Sequence, residues 1–372
     1  MSSTIKKADQ NTIEVMLLMT EACNLNCRYC YECNKSHNKM SFETAKQIID
    51  KEFEKAKGSE TNIVVQFFGG EPLLEFETIK KIYEYIHSYN SPNYNYCFAV
   101  TNGTLLDENM KEWMYEHRND FICGLSLDGT PDVHNYNRSN SYDMIDLDFF
   151  VKTWPNQKVK MTISPDMLGK LSDCVIHCHD LGFGVLCNLA DGEDWKPESS
   201  SILKDELTKL VEFYINNPDF DVCSILKMPL LHVGIKEREY IPQWCGCGKN
   251  IHAYDCGGKL YPCQMFMDIT RKNVHIPVTK KEYPLNTLPE KCQKCPLVGC
   301  CPTCIGVNVL RGCSNFYHTD VECNNIKIQF LATSFLMYDK YKKGLLNFSE
   351  TEEYVLLNSI KTIQLAFSDM KI

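Results

Sequence analysis

Cys23, Cys27 and Cys30 stand in the spacing C-x3-C-x2-C, directly after the apolar run Ile13 to Met19. Three thiolates can hold a [4Fe–4S] cluster and leave its fourth iron without a protein ligand. An open iron can bind a small molecule and pass it one electron. The alternative for such a loop is structural zinc, which takes four closed ligands; Cys33 is near enough in sequence to be a fourth. A strand end followed by a loop is also where alternating β/α folds place their chemistry.

A second group of cysteines runs from Cys245 to Cys323, in a stretch where Gly and Pro rise and periodicity weakens. Such a segment buries little apolar area and needs metal to hold it. Cys97, Cys123, Cys174, Cys178, Cys187, Cys223 and Cys313 have no paired spacing and read as small buried hydrophobes. His177 and His179 flank Cys178 on an expected outer helix and read as structural.

These residues need a scaffold, and the first 230 residues supply one by pattern. Strands are expected at 13–20, 62–68, 94–101, 123–128, 158–164 and 184–190. Helices are expected at 42–57, 74–89, 107–119, 171–181 and 202–216, with Ser41 as an N-cap and Gly58 as a stop. Repeated strand–helix units imply a parallel sheet with right-handed crossovers. Six units are two short of a closed eight-fold barrel, so the pattern predicts an α/β fold with a partial, open (β/α)6 barrel. The end of the chain, from about 325, becomes helical again and lacks Cys. The expected division is a barrel over 13–230, a cysteine-rich domain over 231–324 and a helical segment over 325–372.

Composition narrows the function. Hydrophobic residues make up 44% and charged residues 23%, which are globular values. No apolar run approaches the ~18 residues that span a bilayer, and no secretory signal is visible at the start. A cytoplasmic location is expected, where abundant cysteines bind metal more often than they pair. A net charge of −9 without a Lys/Arg-rich block argues against nucleic-acid binding.

The stretch Met19-Thr20-Glu21-Ala22-Cys23-Asn24-Leu25-Asn26-Cys27-Arg28-Tyr29-Cys30-Tyr31 resembles the cluster loop of radical S-adenosylmethionine (SAM) enzymes. Three further blocks match in order: Gly69-Gly70-Glu71-Pro72, Thr101-Asn102-Gly103-Thr104, and Ser126-Leu127-Asp128-Gly129 with His134 and Arg138. The later cysteines resemble a SPASM extension holding auxiliary clusters. The resemblance implies a cluster on Cys23, Cys27 and Cys30 with SAM on its open iron, and cleavage of SAM to a 5′-deoxyadenosyl radical. It implies SAM contacts from Gly69, Gly70 and Glu71 (the amino group), Ser126 and Arg138 (a planar fork suited to a carboxylate), Ser164 (the ribose), and Tyr29 and Leu189 (the adenine).

For the auxiliary sites it implies one cluster on Cys245, Cys247, Cys263 and Cys304, with Cys256 as a rival ligand. The other would use Cys292, Cys295, Cys323 and either Cys300 or Cys301. The family leaves five and three residues around that third cysteine; Cys300 gives four and three, Cys301 five and two. Three [4Fe–4S] clusters and SAM are therefore the expected cofactors, with zinc ribbons as the alternative for the second block. No catalytic acid or base is assigned.

The Phe67–Leu74 stretch resembles ribosomal-peptide maturases more than sulfatase maturases. The latter carry an Asp proton acceptor where this chain has Gln264, an amide that takes no proton at ordinary pH. The expected function is hydrogen abstraction from a ribosomally made peptide to form a crosslink, most simply a Cys thioether. Formylglycine formation on a sulfatase and a non-catalytic iron–sulfur electron carrier are the alternatives. Expected partners are the peptide, a separate leader-recognition protein, since only 22 residues precede Cys23, and an electron donor such as flavodoxin or ferredoxin.

Overall fold

The structure is a computed structural model and describes residues 11–233, 245–270 and 288–370. The barrel half runs β1 (Thr12–Thr20), α1 (Phe42–Ala56), β2 (Asn62–Gly69), α2 (Phe76–Tyr89), β3 (Tyr94–Thr101), α3 (Glu108–Glu116) and β4 (Phe121–Leu125). It continues α4 (Pro131–Asn137), α5 (Leu147–Thr153), β5 (Lys158–Ile163), α6 (Leu171–Asp180), β6 (Gly184–Leu189) and α7 (Ser199–Asn216). Beyond it come β7 (Ile251–Tyr254), β8 (Leu260–Tyr261), α8 (Glu290–Gln293), α9 (Ile305–Leu310), α10 (Asp320–Lys342) and α11 (Glu350–Ala366).

Local signals explain the boundaries. Ser41 accepts from the Thr44 N–H and starts α1; Gly58, at φ +76°, stops it. Asp107 caps α3 by accepting from the Met110 N–H. The fourth strand is 121–125 rather than 123–128, so Ser126 and Asp128 lie just past its end. Two short helices, α4 and α5, were not expected. Pro131 at the start of α4 and Asp146, which caps α5 by accepting from Phe149 N, are their sequence signals.

Strands β1 to β4 pair in parallel in chain order, with Val15 opposite Val65 and Leu17 opposite Phe67. Strands β5 and β6 pair with each other and join β4 through a parallel bridge between Ser126 and Lys160. The expected partial barrel of six parallel strands is the observed one. The cysteine-rich region adds to it: β7 lies parallel to β1, with Glu14 opposite Ile251, and β8 returns antiparallel.

Alternate residues divide the sheet into two faces. Val15, Leu17, Val65, Phe67, Ala99, Cys123, Leu125, Met161 and Val185 are buried in the core beneath the helices. The intervening Glu14, Gln66, Phe98, Lys160 and Leu186 therefore point to the concave face, where Leu186 stays 42% exposed. Glu14 on β1 and Lys160 on β5 attract each other although three strands separate them, because the sheet curls around a lumen. A second apolar cluster joins Met16, Leu18 and Phe68 to Ala253, Tyr261 and Phe266, and seats the β7–β8 hairpin against the barrel. Helix α10 packs on α7, while α11 packs on α10 around Phe330, Leu331, Leu356 and Ile360.

Candidate active site

The Cys23–Cys30 loop leaves the carboxyl end of β1 and is fastened on three sides. From β2, Gly70 N–H donates to the Thr20 carbonyl (3.0 Å) and Glu71 N–H to the Ala22 carbonyl (2.9 Å). A Cβ on Gly69 would fall 2.3 Å from Thr20 O, and one on Gly70 2.2 Å from Ala22 O. The two glycines thus let the turn press on the backbone of the cysteine loop, a nearer reason for them than approach to a ligand. From β3, Asn102 Nδ2 donates to Asn24 Oδ1 (2.9 Å) and Asn24 Nδ2 to Thr104 Oγ1 (2.7 Å). From α4, the Arg28 N–H donates to Asn137 O (2.9 Å), and Arg28 stacks on Tyr136.

Glu71 is 2% exposed and its carboxylate serves the loops. It accepts from Leu73 N (3.1 Å), Thr101 Oγ1 (2.8 Å) and Asn102 N (2.8 Å). Burial outweighs these bonds and pushes its pKa up to about 7. The Glu71 carboxylate thereby ties the β2 turn to the β3 turn.

Asp128, fully buried, is the hub on the other side. Its Oδ2 accepts from Tyr29 Oη (2.5 Å) and Asn137 Nδ2 (3.3 Å); its Oδ1 accepts from Thr162 N (3.1 Å) and Arg138 Nη2 (3.2 Å). Arg138 Nε lies 3.0 Å from Oδ2 as an ion pair, though poorly aligned for a hydrogen bond. Burial opposes the Arg138 charge, and Asp128 overrides it and keeps the guanidinium protonated. His134 Nδ1 accepts from Asp128 N (3.3 Å), and its Nε2 faces Ser141 Oγ (3.1 Å), which donates to Arg138 O (2.6 Å). That chain fixes the proton on Nε2. Burial, reinforced by Arg138, pulls this imidazole down to about 4, so it is neutral. Ser164 Oγ donates to Asn137 Oδ1 (3.1 Å), and Leu189 ends β6 half-buried against the barrel core. Of the expected site residues, Tyr29, Arg138 and Ser164 are joined through Asp128 and Asn137, while Gly70 and Glu71 fasten the cysteine loop; Leu189 packs on the core.

The later cysteines form two groups. Cys247 and Cys263 are hydrogen-bonded thiols, with Cys245 and Cys304 close enough to act on them. Cys247 holds the shared proton and Cys263 is the more acidic of the two. Cys256 sits apart and donates to the Leu18 carbonyl (3.3 Å). Its charged neighbours are Glu21, Asp255 and Glu75, not this group.

Cys292, Cys295, Cys301 and Cys323 line one cavity of about 550 Å³ beside α10. Cys300 is fully buried among Leu297, Phe330 and Leu331 instead. Among the described residues no three His, Cys, Asp or Glu side chains converge on a single-ion site. Burial raises Cys30 to about 11, Cys304 to about 12 and Cys301 well above the ordinary thiol value, one in each group, so metal uptake at these thiols must expel protons.

Cys97, Cys123, Cys174, Cys178, Cys187 and Cys223 are buried in the core, as read from the sequence, and Cys313 is half-buried. His177 Nε2 pairs with Tyr142 Oη (2.9 Å), and His179 Nε2 with Tyr214 Oη (2.7 Å). No helix among the described residues is long and apolar enough to cross a membrane.

Residues 17–146 match the model of the Radical SAM superfamily. An uncharacterized protein of Methanocaldococcus jannaschii is 42% identical over 116 residues, 31% of this chain and 38% of that protein. A cysteine-type anaerobic sulfatase-maturating enzyme of Clostridium novyi is 34% identical over 122 residues, 30% of this chain and 31% of that enzyme. The match thus spans about a third of the length of these curated relatives. The fold is shared over greater length. Native anSMEcpe with bound AdoMet superposes with a TM-score of 0.64 at 18% identity, over 94% of this chain and 99% of that one. Streptococcus suis SuiB bound to precursor peptide SuiA gives 0.58 at 16% identity, over 84% and 76%.

Proposed function

We propose that the protein is a radical SAM peptide maturase that joins a Cys sulfur to an unactivated carbon of a ribosomally made peptide. The observation that carries this reading is the convergence at one barrel mouth. The Cys23–Cys27–Cys30 loop, the Gly69-Gly70 turn and the Asp128–Arg138 pair meet there, and two further cysteine groups lie beyond. Cys23, Cys27 and Cys30 would hold one [4Fe–4S] cluster. Cys245, Cys247, Cys263 and Cys304 would hold a second, and Cys292, Cys295, Cys301 and Cys323 a third, in a SPASM-type domain following the barrel.

The chemistry such a cluster supplies with SAM is one-electron cleavage of a C–S bond followed by hydrogen abstraction. The protein's share is placement. Asp128 locks Tyr29 and Arg138, and Glu71 sets the β2 turn. Forming the thioether removes one hydrogen atom from carbon, which leaves with 5′-deoxyadenosine. It also removes one proton from sulfur and leaves one surplus electron, for which a cluster held by either later cysteine group would be the acceptor. A cytoplasmic setting, a flavodoxin- or ferredoxin-type donor and a separate leader-recognition protein complete the proposal.

Anaerobically reconstituted protein should release 5′-deoxyadenosine under reducing conditions. With its peptide, the product mass should fall by about 2 Da per bond, with one Cys protected from alkylation. A protein that binds iron but never cleaves SAM would be an electron carrier instead.

The sulfatase-maturating relatives favour formylglycine formation as a second reading. Against it stands Gln264, whose buried Oε1 has no hydrogen-bond partner. An amide there cannot serve as the proton acceptor. Conversion of a sulfatase Cys peptide to the aldehyde would decide for this second reading.

A further inference from the structure

If SAM occupies the barrel mouth, its carboxylate needs a cation. Arg138 was the expected one, but the Nε and Nη2 edge of its guanidinium already faces Asp128, at 3.0 and 3.2 Å. The side-on fork that makes Arg suited to carboxylates is spent. What remains at Arg138 is one end of the group, so a second positive charge is called for.

The bridge between β4 and β5 shows where it is. Ser126 and Lys160 are direct partners across that bridge, so their side chains leave the sheet on the same face and at the same height. That face is the concave one, because Val159 and Met161 on either side of Lys160 are buried in the core. Lys160 is exposed to the lumen. The charges acting on it are Arg138, which repels it, and Glu14 on the opposite wall, which attracts it. Arg138 and Lys160 are thus near enough to repel each other, and of the two only Arg138 has a carboxylate bonded to it among the described residues. Desolvation within the barrel and the like charge of Arg138 both work against the Lys160 ammonium, and a bound anion would relieve the second of these.

We propose that Lys160 binds the methionyl carboxylate of SAM, as the second cation of a subsite framed by Ser126 and Arg138. The inference rests on the radical SAM reading of the barrel. It assigns Arg138 chiefly to holding Asp128 and Tyr29, and gives the direct charge contact to a residue that belongs to none of the four motifs.

The test compares SAM with decarboxylated SAM on the cluster-loaded protein by equilibrium binding. Parent, Lys160→Gln and Lys160→Arg are measured after iron content and thermal midpoint are shown to match. Lys160→Gln should weaken SAM binding about tenfold and leave binding of the decarboxylated analogue unchanged; Lys160→Arg should recover most of the difference. Unchanged SAM affinity in Lys160→Gln would overturn the inference, and would also be the result if Lys160 met a carboxylate of the peptide. Equal loss for both ligands would overturn it too, as a distortion of the pocket. Failure of the parent itself to bind SAM would instead remove the reading on which the inference rests.

Discussion

Gly70 carries no functional group, yet its hydrogen atom is what the cysteine loop is folded against. A methyl there would sit 2.2 Å from Ala22 O and 2.6 Å from Ala22 C, contacts with backbone that cannot rotate away. Gly70→Ala should therefore displace Ala22 and Cys23 while leaving the barrel core intact. The expected result is loss of about four irons per chain, the content of one [4Fe–4S] cluster, with the other two sites still filled. Full iron retention would show that the loop tolerates the shift. The sequence marked Gly70 through its motif, but the partner that requires glycine is 48 positions away. The same holds for Asp128: its place in the Ser126–Gly129 block was visible, while its grip on Tyr29, Thr162 and Arg138 depends on three elements meeting. Residue types and spacing identify who takes part; pairings across elements are long-range and leave no local trace.

At the scale of elements, the strand and helix periods were readable because β1 to β6 each bury one face under helices. What could not be read was β7. It is four residues long and its pattern is Ile-His-Ala-Tyr, with no alternation strong enough to stand out. Its attachment is polar: Glu52 on α1 accepts from His252 Nδ1 (2.7 Å) and Tyr254 Oη (2.5 Å), with Lys55 at 2.9 Å. Burial would raise the Glu52 carboxyl, but these partners lower it from 4.5 to about 2. A carboxylate depressed on folding contributes stability above its ordinary value and loses it as pH falls to the folded value. The joint should thus be worth about 3 kcal/mol at neutral pH, fading between pH 4.5 and about 2. Glu52→Gln should remove that dependence. The stability difference between parent and variant, measured by denaturant unfolding at several pH values, should shrink toward zero across this window. A difference that stays constant with pH would mean that Glu52 acts by shape alone.

The whole molecule joins a barrel whose mouth gathers one cysteine loop to a region whose helices and hairpin gather two more groups. The count of cysteines was legible in the sequence, as was their split into blocks, but neighbouring Cys300 and Cys301 were not distinguishable by spacing. Packing separates them. Cys301 lines the 550 Å³ cavity with Cys292, Cys295 and Cys323, and its Sγ lies 3.7 Å from His318 Nε2. Cys300 has no exposed surface, belongs to the apolar cluster of α10 and α11, and is not among the residues that line the cavity. The two alanine variants should therefore fail differently. Cys301→Ala should cost about four irons and the matching sulfide, the content of one cluster, with the other two sites filled. Cys300→Ala should keep close to twelve irons per chain, on the three-cluster stoichiometry, and lower the melting temperature by opening a small cavity in the helical packing. If Cys300→Ala loses the cluster and Cys301→Ala keeps it, the chain closes the outer site through the buried cysteine, and α10 must shift against α11 when metal enters.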